Sequence, residues 1–102
     1  RPTAIIYDND VMAMAGMGIA REMGFDIPSD LSIMAWDDSF MCTAVFPHLT
    51  VMGRDIVASG HRAAQLLLGL IDGEQVSVAD EYPYDLRERA STGPAPASAE
   101  QR

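Results

Sequence analysis

The feature that most constrains this chain is a repeated pairing of a short apolar run with an acidic cluster, the two pairs set one helix apart. Thr3-Ala4-Ile5-Ile6-Tyr7 ends at Asp8-Asn9-Asp10, and Leu31-Ser32-Ile33-Met34-Ala35-Trp36 ends at Asp37-Asp38. Strands inside a parallel sheet are covered on both faces, so they read as near-continuous apolar runs. Between them Val11 to Met23 are good helix formers, with Met12, Ala15, Gly16, Ile19, Ala20 and Met23 at helical spacing. Asn9 or Asp10 supplies the N-cap and Gly24 the stop. Strand, helix and strand in this length predict a right-handed βαβ unit, and hence an α/β fold of parallel-sheet layers.

Downstream, residues 39–48 show no clear period and read as a loop with one helical turn, and Leu49 to Met52 as a short strand. Ile56, Gly60, Ala63, Leu67, Leu70 and Ile71 form an apolar stripe from Asp55 to Asp72, which predicts a helix stopped by Gly73. Val76, Val78, Tyr82, Tyr84 and Leu86 alternate and predict one or two strands before Arg89, with Pro83 at an edge or a bend. From Ser91 the chain is rich in Pro, Ala and Ser, which predicts a disordered tail over 91–102.

The 102 residues suffice for one compact unit. No apolar run is long enough to span a bilayer, so no membrane role is expected. The chain opens Arg1-Pro2-Thr3 and runs straight into a strand, which reads as a fragment of a longer protein. Asp and Glu number 15 against 7 Arg and Lys, a net charge of −8, the wrong sign for holding a phosphate backbone. Every cation is Arg, which excludes Schiff-base and P-loop chemistry. One Cys and two His give no metal-ligand spacing, so neither metal nor cofactor is expected. The lone Cys fits a reduced, cytoplasmic setting.

In open α/β sheets ligands bind beyond the carboxyl ends of the strands, where both acidic clusters fall. Carboxylates and an amide at such ends suit a polyhydroxylated ligand, and Trp36 is placed to stack on a sugar face. The plainer readings stand beside these: Asn9 and Asp10 as caps, Asp38 as a turn former, Trp36 and Cys42 as core. Met14 and Met17 fall off the stripe that the first helix needs, so they cover a loop or face a partner.

Four stretches in register resemble the LacI/GalR family of sugar-sensing transcription repressors over about residues 2–90: P-T-A-I-I-Y-D-N-D-V-M-A, R-E-M-G-F-D-I-P-S-D-L-S-I-M-A-W-D-D, F-P-H-L-T-V-M and G-H-R-A-A-Q-L-L-L-G-L-I-D-G. The resemblance implies a fragment of a periplasmic-binding-protein-like core of two α/β lobes, from its C-terminal part. About residues 1–50 would belong to the C-terminal lobe, and 51–90 would carry the hinge crossing, a helix and a returning strand. Asn9 and Asp37 take the places of residues that contact the effector, with Asp8 and Trp36 beside them and Arg54 where a hinge residue reaches the ligand. Met14 and the stretch Cys42 to Phe46 match surfaces through which such cores dimerise, which implicates Met14, Met17, Cys42, Val45 and Phe46. The implied partners are a sugar or sugar-like effector, a second copy of the chain, and DNA only through a head domain absent here. No enzymatic activity is implied.

A rival resemblance concerns Ile5-Ile6-Tyr7-Asp8-Asn9-Asp10, which looks like the opening motif of haloacid-dehalogenase-type phosphatases. Asp8 would then be the nucleophile, Asp10 the general acid/base, and Asp37-Asp38 would hold Mg²⁺. The Lys that normally stabilises the transferring phosphoryl group has no counterpart in this chain.

Overall fold

The computed structural model describes residues 1–77 and 82–98. Its elements run β1 (Ala4–Tyr7), α1 (Asp10–Glu22), β2 (Ser32–Trp36), α2 (Met41–Ala44), β3 (Thr50–Gly53), α3 (Ile56–Ile71) and β4 (Asp85–Arg87). The four strands form one sheet in the order β1-β2-β3-β4. β1 pairs with β2 in parallel, Tyr7 against Ala35, and β2 with β3 in parallel, Ala35 against Val51. The last segment runs the other way. Ala90 N–H donates to the His48 carbonyl and Arg89 N–H to the Thr50 hydroxyl, so residue numbers rise in opposite directions and the sheet is mixed.

The chain divides into two compact units, one of Arg1–Gly53 with the described residues from Leu86 onward, the other of Arg54–Asp85. In the first unit the core lies between α1 and one face of the sheet. Ile33, Ala35 and Val51 point to that face and meet Ala13, Met17 and Ala20, with Ile5 and Tyr7 packed at the side. This corrects the expected phase of α1, because Met12, Ile19 and Met23 of the predicted stripe are exposed while Met17 is only 3% exposed. The helix is apolar almost all round, so apolar spacing alone does not fix which side faces inward. Small side chains do: Ala13, Gly16 and Ala20 let the helix approach the sheet, and Tyr7 lies across Gly16.

Asn9 caps α1, its Oδ1 accepting the Met12 N–H at 2.9 Å. Leu49, fully buried, donates its N–H to the Cys42 carbonyl, which folds the 37–48 loop back under the sheet. Ile6, expected inside a doubly covered strand, is exposed, because it alternates with Ile5 and Tyr7 and so lies on the sheet face opposite α1. The predicted tail is corrected at its start. Ser91 is fully buried, its Oγ donating to the Ile33 carbonyl and accepting the Thr50 N–H, and Gly93 N–H donates to Ser32 Oγ. Main-chain groups left open along β2 and β3 outweigh the disorder that the composition favours. Residues 99–102 lie outside the described residues.

In the second unit Asp55 caps α3 by accepting the Ala58 N–H at 2.9 Å. Glu74 N–H returns to the Gly69 carbonyl, and the Glu74 and Val76 side chains close on Gly69, the one buried residue of that helix. Of the alternating stretch only Asp85–Arg87 is strand among the described residues, because Pro83 offers no ladder donor just before it. Val78 lies outside the described residues.

Candidate functional site

The register that sets Tyr7 beside Ala35 carries the chain out of β1 and β2 in step, so Asn9 and Asp37, each two residues further on, leave neighbouring carboxyl ends. The capping bond uses the amide oxygen of Asn9 and does not engage its NH2 group. Asp8, beside it, is exposed. Trp36 ends β2 on the face turned away from α1 and is 40% exposed, so it is not core. Asp37 follows with φ 71°, in the left-handed region, and its N–H donates to the Met52 carbonyl of β3 at 2.9 Å. Of the non-glycine residues Asp is among the few that tolerate this conformation, and such strain persists only where neighbours fix the backbone.

Those neighbours are the residues that sequence reasoning missed. Asp38 receives Arg89 Nη1 on Oδ1 at 2.9 Å, Arg89 Nη2 on Oδ2 at 2.7 Å and Arg87 Nη1 on Oδ2 at 2.8 Å. Arg89 also donates to the Leu49 carbonyl at 2.9 Å. Forked guanidinium bonds of this kind are short and strong. The bonds from Arg89 are the largest reason that the Asp38 carboxyl titrates at about 2, with Arg87 adding and burial opposing. Asp38 in turn raises Arg89. The signal for this cluster was the Arg-x-Arg spacing at 87 and 89, which puts two long cations on one side of an extended segment; nothing local tied them to an acid some 50 positions earlier.

A second polar cluster ties α1 to α2. Ser39 Oγ donates to Asp10 Oδ2 at 2.6 Å, the Cys42 thiol lies 3.9 Å from the same oxygen, and Asp10 Oδ1 accepts the Val11 N–H. Asp10, the general acid/base of the phosphatase reading, and Asp38, one of its Mg²⁺ ligands, are thus occupied with donors from this chain. Among the described residues no group of three His, Cys, Asp or Glu is placed to hold a metal ion.

Arg54 belongs to the second unit and lies over the Tyr84 ring, 5.0 Å from its centroid. An apolar pocket of about 280 Å³ sits at the β1 side of the first unit, lined among others by Ile5, Tyr7, Ile19, Met23 and Phe25. None of the residues expected to bind effector lines it.

The expected partner surface separates into two groups. Met17 and Cys42 are buried in the chain's own core and offer nothing to a second copy. Met14 and Val45 are half-buried against that core, whereas Phe46 is 81% exposed, with Phe40 and Met41 nearby in sequence and exposed as well. Phe40 precedes α2 and Met41 opens it, next to the expected stretch Cys42 to Phe46.

Residues 1–92 match the model of the periplasmic binding protein-like domain. The HTH-type transcriptional regulator MalR of Streptomyces coelicolor is 33% identical over 95 residues, 92% of this chain and 28% of MalR. A crystal structure of a LacI family transcriptional regulator from Bifidobacterium animalis is 58% identical with a TM-score of 0.87, covering 96% of this chain and 35% of that one. The dimeric Lac repressor is 31% identical with a TM-score of 0.85, covering 94% of this chain and 35% of the repressor. The chain therefore spans about a third of the length of these regulators or less. No described helix is long and apolar enough to cross a membrane.

Proposed function

Because the chain belongs to the periplasmic-binding-protein-like domain family of the LacI/GalR regulators, we propose that it is the effector-binding and dimerising part of a transcription regulator that senses a sugar or a related polyhydroxylated molecule. The observation that carries this reading is that β1 and β2 are parallel neighbours with Tyr7 paired to Ala35, and that Asn9 and Asp37 each follow that pair by two residues in sequence. Asn9 offers an amide NH2 and Asp37 a carboxylate, so a ligand hydroxyl that must both donate and accept finds both partners. Trp36 supplies an apolar face and Asp8 a further acceptor.

The boundary between the two compact units at Gly53 and Arg54 supports the assignment of the units to two lobes. The exposed aromatic residues Phe40 and Phe46 support pairing with a second copy. The net charge of −8 leaves DNA reading to another domain of a cytoplasmic parent, and effector binding without bond-making chemistry is the task of this one.

The test is an electrophoretic mobility assay with the full-length protein and the DNA upstream of its own gene. Addition of one member of a panel of mono- and disaccharides at millimolar concentration shifts the bound fraction by tenfold or more. A DNA complex indifferent to every member contradicts the sugar reading, and turnover of p-nitrophenyl phosphate by pure protein with Mg²⁺ contradicts the regulator reading.

A further inference from the structure

We infer that Asp38, held by Arg89 and Arg87, is a positioning residue: it fixes the turn after β2 in the conformation that presents Asp37 to the effector. The inference rests on the effector reading above and extends it to three residues that do not themselves touch ligand. Asp37 sits at φ 71°, a conformation that costs a non-glycine residue energy and reverts unless its surroundings hold it. One anchor is visible on its N-terminal side, the Asp37 N–H to Met52 carbonyl bond across to β3. The other follows at once, where Asp38 receives three guanidinium bonds within 2.9 Å, two of them from the fork of Arg89.

Arg89 is itself fixed. Its N–H donates to the Thr50 hydroxyl, its Nη1 to the Leu49 carbonyl, and two residues later Ser91 is buried between β2 and β3. The sheet thus holds Arg89, Arg89 holds Asp38, and Asp38 fixes one end of the turn that carries Asp37. A planar fork resists rotation of the carboxylate in a way that a single point charge cannot, so Lys at position 89 is a poor substitute. Arg87 contributes one bond from a more exposed side chain and has the smaller share.

The experiment compares wild type, Asp38→Asn, Arg89→Gln, Arg89→Lys and Arg87→Gln in the full-length protein. Hydrogen exchange by mass spectrometry reads the peptide covering residues 36–42 against one covering α1, and calorimetry reads binding of the mono- and disaccharide panel. Leu31→Ala, a core packing change at the opposite end of β2 from this turn, serves as a control for general loss of stability. Asp38→Asn and Arg89→Gln speed exchange in the 36–42 peptide by tenfold or more while α1 keeps its protection. They weaken binding of the responsive saccharide by a similar factor, Arg89→Lys restores only part of the loss, Arg87→Gln has the smallest effect, and Leu31→Ala leaves affinity unchanged. Exchange in the turn that stays at the wild-type rate, or that rises equally in α1, overturns the inference. So does wild-type saccharide affinity in Asp38→Asn. If the wild type binds no saccharide the sugar reading fails, and the exchange comparison still decides whether the cluster holds the turn.

Discussion

Gly16 shows how one residue sets the spacing of a layer. A Cβ built there would lie 2.0 Å from the Tyr7 hydroxyl and 2.4 Å from its ring, closer than any packed pair tolerates. Gly16→Ala therefore pushes Tyr7 off its site or lifts α1 from the sheet, and overpacking of this kind costs about 1–3 kcal/mol, which a lowered Tm in scanning calorimetry checks. Asp38 gives the residue-scale prediction for pH. Its carboxyl titrates at about 2 in the folded chain against the ordinary 3.8, so folding favours the charged form. The stabilisation is complete above about pH 4 and is lost as pH falls towards 2. Denaturant titrations at stepped pH show a decline in that window for wild type, and a decline smaller by the Asp38 share in Asp38→Asn. At neutral pH the same variant, which leaves two guanidinium groups short of a partner, costs about 2 kcal/mol, below the range for a fully buried pair because both Arg remain partly exposed.

At the scale of elements, the βαβ unit and α3 were legible in the sequence because their signals are local: an apolar run, a capping Asn9 or Asp55, and a glycine stop. What the sequence did not reveal depends on partners distant along the chain. The inward face of α1 was obscured because Met12, Met14, Met17, Ile19 and Met23 offer several apolar faces, and only the sheet's need for small residues at 13, 16 and 20 selects one. The burial of Ser91 and the clamp on Asp38 were invisible for the same reason. Composition describes Ser91 as tail, but the unpaired main-chain groups of β2 and β3 recruit it. The adjacent, parallel placing of the strands that precede Asn9 and Asp37 was legible in the two apolar runs, whereas the residues that hold the end of the second strand in shape were not. The corrected phase of α1 has a measurable consequence. Met17→Ala empties a buried position and costs about 2–5 kcal/mol, while Met12→Ala on the exposed side costs less than about 0.5 kcal/mol, as paired urea titrations will show.

At the scale of the whole molecule, the described residues leave many apolar side chains exposed, Phe40 and Phe46 at the α2 loop and Val57, Leu68 and Ile71 on α3 among them. A chain covering about a third of a regulator's length is expected to show such surfaces. If the α2 loop is where two copies meet, Phe46→Arg is the informative substitution, since Phe46 is exposed and a charge there leaves the core intact. Met14 is half-buried against the core, so a charge at that position confounds folding with association. Sedimentation of the full-length protein as a dimer and of Phe46→Arg as a folded monomer is the expected result; an unchanged dimer moves the contact elsewhere. The central claim remains that the carboxyl ends of β1 and β2 hold the effector. Its most direct test is calorimetry of the full-length wild type and of Asp37→Ala with the saccharide that releases or recruits DNA. The account predicts at least a hundredfold loss of saccharide affinity in Asp37→Ala with DNA affinity in the absence of sugar unchanged. Wild-type affinity for the saccharide in Asp37→Ala would contradict it.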